Sequence, residues 1–575
     1  MEFLNKYIKL YWKKYVVVLI FLIFDATCDL LQPTIMSKII DKGVAAKDIN
    51  YVFKMGGVML LITALGALSA IARNIISSNV SQSFGTKLRG DLFKKIQSFS
   101  FQNIDKFQDA SLMTRLTSDV NGVQNFAHGM MRIFVKAPIL CIGSIIMATM
   151  LNPSMALILI GVVPVIGIII LINMKLSYPF FVKIQKSLDR VNGVMREYLS
   201  GIRVVKAFNR FHHEKNRFSE VNEELTSVSI KGMRVMAIFN PAIALTVNMG
   251  IILLLWFGGL RVNSGEMQVG QIIAFTNYMT QILFSLTMMS YVFTMFIKAK
   301  ASAERIGEVF SEENNIKNKE GARILKEAVG DIDFQDVTFS YYGLKSEPLL
   351  KNITFKALQG ETLGIIGSTG SGKSTLVNLI PRFYDINSGV IKIDGIDVKD
   401  INIKDLRETI AIVPQKTMLF TGSILDNIKW GDEKANLEEV EEAAKISEAH
   451  DFISSFKEGY NTILGQGGVN LSGGQKQRIS IARALIKKPR ILILDDCTSA
   501  VDVVTEGKIR MGLKRYLKKT TCILIAQRIT SVMGADRIIV LENGSIVGMG
   551  THEELMSKCE IYKDIFRSQI GKEEI

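Results

Sequence analysis

The sequence predicts an all-α membrane domain followed by an α/β domain. Six long apolar stretches occupy the first half of the 575 residues, and each is close to the ~20 residues that a bilayer-spanning helix needs. From Gly330 onward, short β-branched runs alternate with amphipathic helices, which is typical of an α/β fold. The predicted strands are Ile332–Phe339, Thr362–Ile366, Val390–Ile393, Ile410–Val413, Ile491–Leu494, Thr521–Ile525 and Arg537–Leu541. Within that half, Gly367–Thr375 reads GSTGSGKST. This is the pattern of a phosphate-binding loop between a strand and a helix.

The composition supports a division of the chain. A length of 575 residues is too great for one core. The mean hydropathy of +0.24, with 48% hydrophobic and 22% charged residues, indicates an apolar half joined to a polar half. We therefore expect a transmembrane domain with six helices at residues 1–310, a linker at 311–329 and a nucleotide-binding domain at 330–575.

The apolar stretches predict six membrane helices whose orientation follows from the basic residues. Long polar links with helical periodicity join the second helix to the third and the fourth to the fifth, so these helices should extend into the cytoplasm. Lysines and arginines concentrate in these links and before the first helix, which places them inside. We expect a multi-pass protein of the cell (inner) membrane, with both termini and the nucleotide-binding domain cytoplasmic. The predicted helices are Val16–Ile35, Met55–Ala72, Ile133–Leu151, Met155–Met174, Val235–Leu260 and Val269–Ile297.

The net charge of +14 suits either nucleic acid or the inner face of a membrane. Because many of the basic residues flank the apolar stretches, the partner we expect is the lipid bilayer, and we exclude nucleic acid. The five cysteines are scattered without metal-ligand spacing. We expect reduced thiols and no disulfide framework.

The phosphate loop is the central candidate site. Its glycines let backbone amides point inward, and the following helix presents its positive N-terminus to phosphates. Lys373 should reach the β- and γ-phosphates, and the Ser374 hydroxyl should bind Mg²⁺. Asp495 ends an apolar strand, Ile491–Leu494, and an aspartate there holds Mg²⁺ in such domains. The candidate nucleotide-binding residues of the loop are Gly367, Ser368, Thr369, Gly370, Ser371, Gly372, Lys373, Ser374 and Thr375.

A second motif carries a family resemblance. Leu471–Gln475 reads LSGGQ, and together with the phosphate loop it resembles the signature of ATP-binding cassette (ABC) transporters. The resemblance covers nearly the whole chain and is to a half-transporter of the exporter type. It implies ATP and Mg²⁺ as cofactors and two cassettes that bind ATP between them, each phosphate loop facing the other chain's LSGGQ. The residues of this motif are Leu471, Ser472, Gly473, Gly474 and Gln475.

Further segments resemble functional parts of the family. Tyr341 resembles the aromatic residue that stacks on adenine, and Gln415 the glutamine that contacts Mg²⁺ and the attacking water. Ser499–Asp502 resembles the loop that crosses between paired cassettes. Arg196–Phe218 and Ser111–Val120 resemble the inner links, whose short coupling helices dock on a cassette.

Two catalytic positions depart from the family pattern. Asp496 stands where the family usually has Glu, and Gln527 stands where it has His. General-base and positioning effects are each worth about 10²–10⁴-fold, so we expect slow hydrolysis at this chain's own site. The alternative is that Asp496 is a working variant base. With LSGGQ intact, the pattern resembles the degenerate-site subunit of a bacterial heterodimeric multidrug exporter, and we favour a second, different half-transporter as partner over a homodimer.

Two acidic residues lie within the first apolar stretch. Asp25 and Asp29 are four residues apart, on one helix face, and carboxylates at membrane depth are costly. They could attract a cationic substrate or carry protons; alternatively, they pair with a basic group or lie near the outer surface. We expect Lys136, near the end of its helix, to extend toward the membrane surface.

These patterns together favour a subunit of an ATP-driven exporter. Its small-molecule substrates should be amphipathic, drug-like or lipid-like, and ATP hydrolysis should occur mainly at the partner's site. An ABC importer of the same fold is one alternative. A regulatory ATP-binding membrane subunit without its own transport role is another.

Overall fold

A computed structural model describes residues 2–325, 328–341, 347–516 and 518–570. They form two compact units. The membrane unit comprises the residues up to Gln97 together with Asp109–Glu312. The cassette unit comprises Ser98–Gln108 together with the residues from Glu313 onward. The sequence analysis had placed Ser98–Gln108 in the membrane domain and 311–329 in a separate linker.

The membrane unit is all α-helical, as predicted. Six helices are long and apolar enough to cross a membrane, and each contains one of the predicted apolar stretches or nearly all of it. They are much longer than those stretches because the polar links continue the same helices. The six helices are Lys9–Val44, Ile49–Gln97, Asp109–Leu151, Pro153–Ser200, Phe211–Asn263 and Val269–Ser311.

Several of these helices contain local irregularities. Five-residue or six-residue π-helical turns lie at Ile39–Val44, Arg115–Asp119 and Met130–Phe134. The fourth helix begins at Pro153, where the Asn152 side chain accepts a hydrogen bond from the Met155 amide at 3.2 Å. Proline at the first helical position needs no hydrogen-bond partner for its nitrogen, so the helix starts there at little cost.

A short helix, Ile202–Ala207, connects the fourth and fifth membrane helices. It lies inside the predicted second link, between Gly201 and the turn at Asn209, whose φ is +50°. Two apolar side chains of this segment are exposed: Val204 is 60% exposed and Phe208 is 74% exposed.

The described residues of the cassette unit form twelve strands. β1 (Ile332–Phe339), β6 (Ile410–Val413) and β10 (Thr521–Ile525) have the predicted bounds, and β3, β4, β9 and β11 extend the predicted runs by one or two residues. The remaining strands were not predicted. The other bounds are β2 Leu350–Ala357, β3 Thr362–Gly367, β4 Ser388–Ile393, β5 Ile396–Asp397, β7 Gly422–Ser423, β8 Ile463–Leu464, β9 Ile491–Asp495, β11 Arg537–Glu542 and β12 Ser545–Gly550.

The strands form two main sheets and one small pair. The six-stranded sheet has the order β12-β11-β3-β10-β9-β6, in which only β12 is antiparallel to its neighbour. The four-stranded sheet is antiparallel, in the order β2-β1-β4-β5, and β7 pairs with β8. Because parallel strands end at the same edge, the segments after β3, β9 and β10 come together there.

Helices cover the sheets, and among the described residues of this unit they form three hydrophobic cores with the strands. Each core joins buried strand residues to the apolar face of neighbouring helices, as expected for strands that are buried on both sides. The helices of this unit are Phe101–Phe107, Lys373–Leu379, Ile403–Thr409, Ile424–Lys429, Leu437–Ile446, His450–Ser454, Gly473–Leu485, Val503–Tyr516, Ile529–Val532, His552–Lys558 and Glu560–Ile570.

The short helix between the second and third membrane helices is not where the sequence analysis placed it. The expected segment, Ser111–Val120, belongs to the start of the third membrane helix. The short helix is instead Phe101–Phe107, which begins with a capping box between Ser100 and Asn103. Seven residues make two turns, which is too short for the periodicity that marks longer helices.

The two acidic residues of the first membrane helix are paired. Asp25 is buried and lies 2.9 Å from both Arg73 Nη1 and Lys136 Nζ, and Lys136 Nζ also lies 2.8 Å from Asp29. The expectation that Lys136 extends toward the membrane surface was therefore wrong. Two carboxylates and two cations form a neutral network, which supports the pairing alternative over attraction of a cationic substrate.

Candidate nucleotide site

The phosphate loop connects β3 to the helix Lys373–Leu379. Gly370 has a φ of +86° and Gly372 a φ of +99°, values that strongly favour glycine. No heavy atom lies within 4 Å of the position that a Cβ of Gly370 would take. The loop therefore has open space beside its backbone at this point, and the helix begins directly after it.

The polar groups of the loop fit an anionic ligand. Lys373 Nζ donates to the carbonyl oxygens of Gly367 at 2.8 Å and Ser368 at 2.7 Å. Burial lowers the pKa of Lys373, while the nearby Asp495 and Asp496 oppose this shift. The Ser371 hydroxyl is buried and has no hydrogen-bond partner within the described ranges. A phosphate group can accept from both side chains.

Two oxygens that are candidate metal ligands lie beside the loop. The Ser374 hydroxyl donates to Asp495 Oδ1 at 3.0 Å, so the two candidate Mg²⁺ ligands are adjacent. Burial raises the pKa of Asp495, and the Ser374 hydrogen bond opposes it. Hydroxyl and carboxylate oxygens are the ligand types that Mg²⁺ prefers.

Asp496 is held by both of the glutamines that the sequence analysis singled out. Its Oδ2 accepts a hydrogen bond from Gln415 Nε2 at 3.1 Å and another from Gln527 Nε2 at 2.9 Å. The side chain is 7% exposed, and burial raises its pKa, which the Gln415 hydrogen bond opposes. The carboxylate is therefore oriented by two amides, neither of which can take up a proton.

Tyr341 lies next to the start of the loop helix. Its hydroxyl is 3.0 Å from Thr375 Oγ1. Its ring meets the rings of Phe339 and Tyr384 edge to face, with centroids 5.0 Å away in each case. The sequence analysis had identified Tyr341 but not Tyr384.

The LSGGQ motif opens the helix Gly473–Leu485, as predicted. Ser472 is the N-cap, and its backbone amide donates to Gln475 Oε1 at 2.9 Å while its Oγ accepts from the Gln475 amide at 3.3 Å. Leu471 is buried, whereas Ser472 and Gly473 are exposed. A hydroxyl and the first amides of a helix are thus presented to an external anion.

A residue that the sequence analysis missed ties this motif to the neighbouring loop. Gln477, which is buried, donates to Ser499 Oγ at 3.2 Å and accepts from the Ala500 amide at 3.0 Å. Ser499 Oγ in turn donates to the Asp496 carbonyl oxygen at 3.1 Å. The segment Asp496–Ala500, which follows β9, is therefore hydrogen-bonded to the helix that LSGGQ opens.

Comparisons with known proteins agree with this geometry. A model of the ABC transporter transmembrane region matches residues 15–286, and a model of the ABC transporter matches residues 350–499. The chain is similar to the "Uncharacterized ABC transporter ATP-binding protein YfiB" of Bacillus subtilis (strain 168), with 41% identity over 97% of this chain and 96% of that protein. The chain belongs to the ABC transporter family.

Other relatives extend the comparison. This ABC transporter is 37% identical to the "Uncharacterized ABC transporter ATP-binding protein MT1311" of Mycobacterium tuberculosis, over 98% of this chain and 97% of that one. A solved structure of a bacterial Atm1-family ABC exporter with ATP bound superposes with a TM-score of 0.82 at 24% identity, covering 98% of this chain and 99% of the other. The predicted fold class is confirmed: the ABC transporter has the exporter fold. Its cassette implies ATP hydrolysis coupled to transport, and half-transporters of this family act as dimers.

The close packing of Gly474 gives a stability prediction for the ABC transporter. A Cβ at Gly474 would lie 2.8 Å from the Ala500 carbonyl oxygen, so Gly474→Ala should destabilise the cassette by about 1–3 kcal/mol. At Gly507 no heavy atom lies within 4 Å of the corresponding position. Gly507→Ala should therefore be neutral or stabilising, by up to about 1 kcal/mol. Thermal unfolding of both variants checks this, and equal midpoints would contradict it.

Proposed function

We propose that this chain is one subunit of a heterodimeric exporter of small amphipathic molecules. Its own ATP site should turn over slowly, and its LSGGQ should complete a fast site on a different half-transporter. The observation that carries the proposal is the pair of hydrogen bonds from Gln415 and Gln527 to Asp496.

Nucleotide binding at this chain's site follows from the loop geometry. Tyr341 would stack on the adenine, Lys373 and the loop amides would hold the phosphates, and Ser374, Asp495 and Gln415 would hold Mg²⁺. The ATP–Mg²⁺ complex supplies the phosphoanhydride bond whose hydrolysis drives transport. Among the described residues, the backbone beside Gly370 is open and the buried Ser371 hydroxyl has no hydrogen-bond partner, and both features suit such a ligand.

Slow hydrolysis follows from the groups around Asp496. A general base must reach the attacking water, but Asp496 is one methylene shorter than Glu and its Oδ2 already accepts two amide hydrogen bonds. Gln527 donates its hydrogen bond to Asp496, and its amide cannot carry the proton that a histidine could present to the γ-phosphate. Both functions of the usual Glu and His pair are therefore weakened at once.

The partner's site depends on the exposed end of the signature helix. Ser472 and Gly473 lie at the surface, where a γ-phosphate held by another chain can meet them. Val204, within the short helix Ile202–Ala207, and Phe208, directly after it, are exposed apolar side chains that provide a surface for the second subunit.

The membrane unit suits apolar or amphipathic cargo. A cavity of about 330 Å³ lies between its first three helices, and its lining includes Tyr15, Phe84, Phe126, Met130 and Met131. Aromatic and methionine side chains adapt to varied apolar ligands. With Asp25 and Asp29 neutralised, nothing at that position favours cations over neutral compounds. The basic inner links orient the protein in the cytoplasmic membrane with both termini and the cassette inside.

The test of this proposal is Asp496→Asn in the assembled pair. Because that carboxylate is already a weak base, the steady-state ATPase rate should fall by no more than about two-fold, whereas loss of a working base costs about 10²–10⁴-fold. The matched control is the equivalent Glu→Gln change in the partner, which should remove nearly all activity. A loss with Asp496→Asn as large as with the control would contradict the proposal.

A further inference from the structure

We propose that Tyr384 is a positioning residue that transmits occupancy of the nucleotide-base site to the short helix Phe101–Phe107. The inference rests on Tyr341 being the base-stacking ring proposed above. It adds a physical connection between that ring and the segment that links the second and third membrane helices.

The connection consists of aromatic contacts followed by one hydrogen bond. The rings of Tyr341 and Tyr384 meet at 89° with centroids 5.0 Å apart. The Tyr384 hydroxyl then donates to Asp105 Oδ2 at 2.8 Å. Phe101, at the start of the short helix, packs with its ring centroid 4.6 Å from Phe383 and 6.2 Å from Tyr384.

The residues next to Tyr384 are fixed by side-chain contacts. We therefore expect a change in the position of the Tyr384 ring to alter its contacts and not the backbone. Arg382 is buried and pairs with Asp385 at 2.7 Å. Arg407 lies over the Phe383 ring, 5.2 Å from its centroid. Burial and the neighbouring Asp105 both raise the pKa of Tyr384, which keeps its hydroxyl a donor at every physiological pH.

The far side of the short helix is fastened to the chain that follows the sixth membrane helix. Asn103 donates to the Glu313 carbonyl oxygen at 3.1 Å, and Asn314 donates to the Ser98 carbonyl oxygen at 2.5 Å. Ser98 directly follows the end of the second membrane helix at Gln97, and Glu313 comes two residues after the end of the sixth at Ser311. The short helix is therefore hydrogen-bonded to the segment that follows the sixth membrane helix.

A base stacked on Tyr341 restricts that ring and, through the perpendicular contact, the Tyr384 ring. The Tyr384–Asp105 hydrogen bond then opens less often, and the amides of Phe101–Phe107 become better protected. Phosphates alone occupy the glycine loop without stacking on the Tyr341 ring, so they should leave the short helix unchanged.

Hydrogen–deuterium exchange on the full-length chain in lipid nanodiscs tests this inference. The probes are Mg²⁺ with a non-hydrolysable ATP analogue, and Mg²⁺ with tripolyphosphate, which has no base. Both should slow exchange in Gly367–Thr375, and only the ATP analogue should slow exchange in Phe101–Phe107, by about three- to ten-fold, since slowing by that factor reflects ~0.7–1.4 kcal/mol. The slowing in Phe101–Phe107 should disappear in Tyr384→Phe and in Asp105→Ala.

The control variant is Tyr460→Phe, which removes another tyrosine hydroxyl of the same unit, one that lies 2.8 Å from His450 Nδ1. It should behave like the unmodified chain. The inference is overturned if the ATP analogue does not slow exchange in Phe101–Phe107, if tripolyphosphate slows it equally, if Tyr384→Phe retains the slowing, or if Tyr460→Phe loses it. Exchange reports binding and not turnover, so fast hydrolysis by this chain would refute the proposed asymmetry while leaving these results unchanged.

Discussion

Replacing Ser472 by Ala and Gly473 by Glu should lower the ATPase rate of the assembled pair by about 10²–10³-fold. The exposed Ser472 hydroxyl and the first amides of its helix would contact the γ-phosphate held by the partner. Removing the hydroxyl and adding a carboxylate there repels the phosphate, and a loss of ~3–4 kcal/mol of transition-state stabilisation corresponds to this factor.

Steady-state ATPase of the reconstituted pair measures the effect. The matched control is Gly507→Glu, which adds the same side chain at a glycine of the same cassette where a Cβ meets no atom within 4 Å. The control should retain the rate of the unmodified pair. An unchanged rate in the Ser472→Ala, Gly473→Glu variant would show that this signature motif does not complete a working site.

Arg73→Met should destabilise the membrane unit by about 3–5 kcal/mol, since removing one partner of a buried ion pair leaves an uncompensated charge. In the unmodified protein, Arg73 and Asp25 have side chains that are 8% and 6% exposed. After the substitution, Lys136 would have to neutralise both Asp25 and Asp29 alone.

The control for this prediction is Arg190→Met, which removes an exposed pair with Glu224 and should cost no more than about 1 kcal/mol. Unfolding in mixed detergent micelles gives both free energies. Adding Asp25→Asn to Arg73→Met should recover part of the lost stability, because the unpaired charge is then gone. A cost for Arg73→Met that is as small as for Arg190→Met would mean that the network is not a structural element.

The sequence predicted the parts of the fold that depend on composition over many residues. Six apolar stretches define the membrane helices, and continuous β-branched runs define strands such as β6 and β10, which are buried on both faces. β2, LKNITFKA, interrupts its apolar residues with lysine, asparagine and threonine. That pattern is weaker than a continuous apolar run, and this strand was not predicted.

The site was predictable where a motif fixes the backbone and not where contacts depend on the tertiary structure. The phosphate loop and LSGGQ are contiguous, so their strand, loop and helix could be placed from the sequence. Gln415 and Gln527 both donate hydrogen bonds to Asp496, although these residues lie up to 112 positions apart in the sequence. The three side chains come together only when the strands assemble into the sheet. The same holds for Gln477, which looks like any polar residue of a helix, and for the pairing of Lys136 with Asp25.

The central claim is that Asp496 and Gln527 make this chain's own ATP site slow. The most direct measurement is the steady-state ATPase rate of the purified chain alone, before and after the combined change Asp496→Glu and Gln527→His. The account predicts a low rate for the unmodified chain and a rise of about 10²-fold or more on restoring both groups. Vigorous hydrolysis by the unmodified chain that Asp496→Asn abolishes would contradict it and make Asp496 an ordinary catalytic base.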